Sequence, residues 1–348
     1  MLFSSKRLRP VLLLLGAVVC SNVALADSPP ASGEVVLKDG SRILGTIVDA
    51  RDGVVTVETD FAGTISIELD KIQSLSTSGP ATVILEDQTI VENQPLKIEN
   101  QQLAVNSTDP AKNYSIESLS VINPEPWELG RGYKWFGELS FALVMERGNS
   151  ESDELDYRLE STWRSVQDRY RLLARGENDE VNGEKSADNW LLRGKWDYFL
   201  DDPNYWGLLA QVEQDEFSDL DLRWLAGPFI GRQFFDEPLF TLAGEFGVAY
   251  VTEEYIVAED DDYGAANWDI NVTSDLLGGD SQLYAHQFGL WSLDDPSDVV
   301  IDTTLGLGFP LLFNFQAAAE ILWEYDSGAV DGVDELDQTY RVRIGYSW

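Results

Sequence analysis

The chain has 348 residues, with 61 acidic against 24 basic side chains and a formal net charge of −37. So large an acidic excess argues against nucleic acid as a partner, because phosphate binding needs a basic surface. With one cysteine and one histidine in the chain, neither a disulfide framework nor a thiolate metal site is available.

At the start, Lys6, Arg7 and Arg9 precede the apolar run VLLLLGAVV, and Ala24-Leu25-Ala26 offers the small residues of a cleavage site. Residues 1–26 are therefore predicted to be a Sec signal peptide. The apolar run is about ten residues, roughly half of what a spanning helix needs. Val19 stands where a lipidated Cys20 would require a small neighbour, which weakens a lipoprotein assignment.

Residues 27–78 follow as a small β unit in which Asp39-Gly40 and Asp52-Gly53 mark hairpin turns. A weaker copy occupies 79–121: VVLKDG is echoed by VILEDQ, and Ile67, Leu69, Ile72 and Leu75 by Tyr114, Ile116, Leu119 and Ile122. The first copy has the look of an SH3-like or Sm-like barrel. That fold sometimes binds RNA, a use which export and acidity make improbable here, so a structural or protein-contacting role is expected. The stretch INPEPWELGRG places a linker over 122–131.

From 132 to 348 the dominant signal is a period of two. Segments near 132–148, 153–166, 168–180, 187–199, 204–215, 220–235, 239–253, 264–276, 281–293, 297–311, 313–325 and 336–348 alternate in this way. Leu155, Tyr157, Leu159 and Trp163, for example, oppose Asp156, Arg158, Glu160 and Arg164. Strands of this length cross a bilayer when tilted. The connections SVQD, DDPN, DEP and GGDS are tight, whereas GNSESD, NDEVNGEKSAD, EEYIVAEDDDYGAAN and DSGAVDGVDE are acidic and tend to be longer. An even number of antiparallel strands with short turns on one side and longer loops on the other predicts an all-β fold, a transmembrane antiparallel barrel of about twelve strands. The alternative is a secreted β-sandwich, which also alternates but keeps its polar parity outward.

The last stretch, DQTYRVRIGYSW, carries the two environments on its two parities. Tyr340, Val342, Ile344, Tyr346 and Trp348 are expected to face lipid, and Arg341 and Arg343 the lumen. Tyr346 and Trp348 also form an aromatic ending of the kind read by the outer-membrane assembly machinery. That machinery and outer-membrane lipid are the expected partners, in the outer membrane of a Gram-negative cell with the N-terminal units in the periplasm.

The hairpin ELSFALVMERGNSESDELDYRLEST, with its Gly148-Asn149-Ser150 tip, and the closing DELDQTYRVRIGYSW resemble the salt-induced outer-membrane protein family, YdiY-like, over about 132–348. The resemblance implies an outer-membrane barrel with no established activity and supplies no active-site residues.

No catalytic, cofactor-binding or metal-binding motif emerges. His286 has Thr273, Ser274 and Asp302 on neighbouring segments but no defining triad pattern, so lipid hydrolysis is the least supported alternative. EDDDYG, 259–264, lacks a closing glutamate because Asn271 holds that position, which leaves at most loose divalent cations at acidic loops.

The lumen carries the most informative pattern, because no lysine or arginine occurs between Arg232 and Arg341. A basic wall is predicted from Lys134, Arg158, Arg164, Arg171, Arg175, Arg193, Lys195, Arg341 and Arg343. An acidic wall is predicted from Glu245, Asp269, Asp275, Asp302, Glu320 and Glu324. Two function classes follow. Water between the walls makes a narrow, porin-like channel. Contact between them closes the lumen and leaves a structural or envelope-interaction protein.

Overall fold

In this computed structural model the described residues are 31–51, 53–99, 101–104, 114–146, 152–201, 203–237, 239–278, 281–329 and 333–348. The predicted leader and the Gly148-Asn149-Ser150 tip lie outside them. The chain divides into two compact units at Pro124 and Glu125.

Among its described residues the first unit holds nine strands: β1 (Ser32–Leu37), β2 (Arg42–Arg51), β3 (Val54–Thr59), β4 (Gly63–Glu68), β5 (Ile72–Leu85), β6 (Ile90–Glu99), β7 (Gln102–Ala104), β8 (Tyr114–Ser115) and β9 (Leu119–Ile122). They form one sheet in the order β4-β3-β2-β1-β5-β6-β7-β8, with β9 pairing both β2 and β5. The β1–β2 turn uses Asp39-Gly40: the Ser41 amide donates to Asp39 Oδ1 at 2.8 Å, and Gly40 takes φ 90°. The sequence echo has a structural counterpart. A 3-10 turn, Leu69–Lys71, leads into β5, and another, Ile116–Ser118, leads into β9. β5 runs straight through position 78/79. Val35, Ile72 and Leu75 share a single buried cluster with Leu85, Ile98 and Ile122, so the two copies are halves of one sheet around one core.

The second unit is a closed antiparallel barrel of β10 (Lys134–Glu146), β11 (Ser152–Arg164), β12 (Asp168–Val181), β13 (Glu184–Asp201), β14 (Asn204–Asp215), β15 (Leu220–Glu237), β16 (Phe240–Tyr255), β17 (Asp261–Ser274), β18 (Gln282–Ser292), β19 (Val299–Pro310), β20 (Phe315–Asp326) and β21 (Leu336–Ser347). These strands match the twelve alternating segments of the sequence to within a few residues. Their period of two sorts side chains onto two faces. Phe141, Leu143, Ile230, Phe246, Tyr340 and Val342 are exposed on the outside, while Ser140, Lys195, Asp269 and Arg343 are buried inside. An apolar exterior over a polar interior is the surface that a bilayer-spanning barrel presents.

The connections are less asymmetric than their composition suggests. NDEVNGEKSAD is mostly strand, because β12 and β13 meet at a two-residue Asn182-Gly183 turn with φ 53° and 80°. Two consecutive positive φ values suit Asn-Gly and match the twist of the flanking strands. What looked like a long loop is a hairpin extending the wall. Conversely, the connection between β17 and β18, at the turn end, spans 275–281 and exceeds most of those at the other end.

The seam is uneven as well. β10 pairs with β11 along its whole length, from Lys134↔Arg164 to Glu146↔Ser152. With β21 it pairs only from Glu138↔Ser347 to Phe141↔Ile344.

Candidate functional site

The interior of the barrel concentrates the unusual chemistry, and the strand order shows which contacts cross it. Lys195 on β13 is buried and bonds Glu245 Oε2 on β16 at 2.6 Å; it also contacts Asp269 on β17. Arg171 on β12 reaches Glu245 Oε1 at 2.5 Å and Asp197 Oδ1 at 2.8 Å. Arg169 binds the other oxygen of Asp197 at 2.6 Å, and Tyr205 donates to Glu245 at 2.9 Å. The Tyr205 ring lies against Gly231, where an added Cβ would come within 2.3 Å of it, so glycine there allows the hydroxyl to reach Glu245. His286 closes the series by contacting Asp269 Oδ1 through Nε2 at 3.1 Å. β12 and β16 are four positions apart round the barrel, so a bond between them spans the interior instead of running along the wall.

Toward the end with the acidic connections lies a second layer. Arg175 on β12 bonds Asp302 on β19 at 2.8 Å and Glu324 on β20 at 3.3 Å, five and four positions away round the ring. Arg223 on β15 bonds Glu253 at 2.5 Å, Glu213 at 3.2 Å and Asp326 on β20 at 3.6 Å. Tyr255 and Tyr263 both donate to Glu253, at 2.6 and 3.0 Å. On the seam side Arg343 bonds Glu320 at 2.6 Å, with Tyr284 donating to the same carboxylate at 2.7 Å, and Arg341 bonds Asp156 at 3.0 Å.

Between the charged layers the inward parity turns apolar. Tyr205, Leu209, Leu225, Phe229, Val251 and Phe288 belong to one buried cluster inside β14–β18. Arg193 lies over the Phe288 ring at 3.7 Å and donates to Gln211 at 2.6 Å. These side chains lie inside the ring of strands, between the two charged layers. What stays open toward the turn end is a polar cavity of about 490 Å³ bordered by Arg158, Lys195, His286 and Arg343.

Not every residue assigned to the two walls from sequence belongs to these layers. Lys134 sits at the start of β10, half-exposed, and pairs with Glu125 at 3.0 Å. Arg164 stacks on Phe199 at 3.5 Å, and Arg158 bonds its strand neighbour Glu160 at 2.6 Å. Asp275 falls beyond Ser274, in a turn, where it accepts from Gln282 at 3.2 Å. The strand ends before the alternation reaches it, so it forms no part of an acidic wall. Arg223, Glu213, Glu253, Asp197 and Asp156 belong to these layers although neither predicted wall includes them. Arg223 shares its parity with Leu225 and Phe229, and that mixture hid the inward face of β15.

His286 points inward, toward Asp269, but no hydroxyl among the described residues bonds it. Ser274 Oγ accepts from the Leu276 amide at 3.3 Å, and Thr273 bonds Thr241 at 2.6 Å, so neither sits as a triad nucleophile.

One charge outside the strands is also perturbed. Asp298, in the connection after β18, is pushed up to about 6 by burial first and by the charges of Asp326 and Glu253, against the pull of Arg223.

The model for the family described as protein of unknown function, DUF481, matches residues 139–348. The uncharacterized protein YdiY of Escherichia coli (strain K12) is 20% identical over 237 residues, covering 66% of this chain and 89% of that one. Among solved structures, the NanC porin is similar with a TM-score of 0.39 and 12% identity over 61% of this chain and 98% of that chain. The translocator domain of the autotransporter NalP from Neisseria meningitidis gives 0.36 and 11%, over 63% and 88%. At such scores the architecture rests on the strand pairing of the chain itself.

Proposed function

We propose, from the premise that the chain belongs to the DUF481 family, that it is an outer-membrane barrel whose interior is closed to axial passage, acting as a structural or envelope-interaction protein. The observation that carries this is the pair of crossing bonds, Arg175 to Asp302 and Arg171 to Glu245. A barrel of twelve strands is intermediate between small barrels filled by side chains and wide ones that hold an aqueous channel. Here long arginines bridge the remaining gap, since the guanidinium fork suits carboxylates and reaches far.

The test is reconstitution in a planar bilayer together with fractionation of cells. Recovery in the outer membrane as a heat-modifiable band, with conductance near the baseline of the bilayer, is the expected result. Large steady conductance overturns the closed interior. The polar cavity of about 490 Å³ at the turn end favours a second reading, a narrow channel with small, intermittent conductance. The same recording separates the two.

A further inference from the structure

The closing seam offers an opening in a different direction. Continuing the register past Phe141↔Ile344 would set Leu143 against Val342, yet the pairing stops and leaves the rest of β10 and most of β21 unbonded to each other. Exposed strand edges in hydrocarbon carry backbone groups that nothing satisfies. At this place lies a cavity of about 680 Å³ whose lining comes from both faces of the wall. Leu143, Leu305, Tyr340 and Val342 border it on the outer, apolar side, where all four are exposed. Glu154, Asp156, Glu177 and Asp179 border it on the inner side. A cavity lined from both sides of a wall, at the point where the wall is unpaired, joins the lipid-facing surface to the interior.

We infer that the unpaired part of the β10–β21 seam is a lateral portal that admits an amphiphile with a cationic headgroup from the surrounding lipid. The outer side offers apolar contact to a chain. The inner side offers five carboxylates and one guanidinium: Arg341 holds Asp156, Glu320 is paired with Arg343, and Glu154, Glu177 and Asp179 are left over. Glu154, Glu177 and Asp179 take part in none of the salt bridges found among the described residues, and the charge that reaches Glu177 is that of Arg341, already held by Asp156. A positive headgroup there gains attraction in a confined space of lowered dielectric, and a negative one is repelled. The inference rests on the membrane-spanning reading proposed above but needs no axial pore, so conductance results leave it intact.

The experiment uses the full chain reconstituted in vesicles of zwitterionic lipid and two fluorescent probes of equal chain length, a quaternary alkylammonium and an alkyl sulfate. Saturable binding of the ammonium probe alone is expected. The Glu177→Gln/Asp179→Asn variant should bind it at least about tenfold more weakly. In a Leu143→Cys/Val342→Cys variant, oxidation should staple the seam and abolish binding, and reduction should restore it. If the pair does not oxidise, the charge variant decides alone. Equal or stronger binding of the sulfate probe, or unchanged binding after stapling, overturns the portal. So does a disulfide that forms between two copies, which would assign the open edges to strand pairing between chains.

Discussion

Arg343 shows what one buried charge does for this barrel. Its guanidinium and the Glu320 carboxylate are almost fully buried and 2.6 Å apart, with Tyr284 as a second donor to Glu320. The desolvation of two ions offsets much of their attraction, so the pair adds little compared with an apolar replacement of similar volume. Breaking it is a different matter. Arg343→Met strands Glu320 in the interior and should cost ~3–5 kcal/mol, read as a large drop in the temperature at which the barrel loses its compact band on gels. Adding Glu320→Leu to that variant should recover most of the loss, because no charge is then left unpaired. Asp298 gives a prediction with the opposite sense. Its carboxyl, raised from 3.8 to about 6, binds a proton more tightly in the fold than in the unfolded chain, so stability from this group falls as pH rises through that window. Asp298→Asn should therefore raise the melting temperature at pH 7.5 and leave it unchanged near pH 4.

At the scale of elements, β5 and the seam are the two places where chain order alone misleads. β5 belongs to both copies of the N-terminal repeat, pairing β1 with one half and β9 with the other. A fragment covering 31–124 should unfold in one cooperative transition, measured by circular dichroism, whereas a fragment cut at 78/79 should not fold, since the cut halves a strand and its shared core. The alternation of β10–β21 was legible because an apolar exterior and a polar interior demand opposite side chains at every second position. The N-terminal repeat was legible for a similar reason: Leu69 and Ile116 hold matching turns. The shared strand was not, because a single strand serving both halves of one sheet has the same local pattern as two strands meeting at a turn. In the barrel, the charges at Arg171, Arg175 and Lys195 stood out because Arg169, Glu177, Arg193 and Asp197 lie beside them on the same parities, and those at Glu245 and Asp302 because the stretch between Arg232 and Arg341 has no cation. Arg223 and Glu253 did not, since Leu225, Phe229 and Val251 share their parity and read as outward-facing. The short seam lies beyond sequence altogether, because pairing between the first and last strands leaves no local mark on either. Trp348 helps hold what pairing there is: its ring sits 5.5 Å from that of Trp135, and its backbone exchanges bonds of 3.1 and 3.2 Å with Gly137.

Over the whole barrel, the charged layers and the apolar cluster act in series along the axis, and that ordering governs how the interior can be opened. Arg175 and Arg223 tie the layer nearer the acidic connections to Asp302, Glu324, Glu253 and Asp326. Arg171 and Lys195 tie the next layer to Glu245, Asp269 and Asp197. Resistances in series are dominated by the largest, so clearing one layer leaves the other in control of ion flow. Arg175→Ala alone should widen the outer vestibule and leave single-channel conductance in a planar bilayer at the wild-type level. Arg171→Ala alone should do the same. The combined variant removes both crossing arginines and should raise conductance above either single change, though only to a small value, because Phe229 and Phe288 still pack the space between. Lys195, Glu245, Asp269 and Asp197 are buried, so raising the salt concentration should screen that layer little and should not by itself open the wild-type barrel, whereas the partly exposed Arg175–Asp302 pair should be screened more. A full conductance increase from either single variant would show that one layer alone closes the lumen, and the other would then be wall structure with no part in blocking passage.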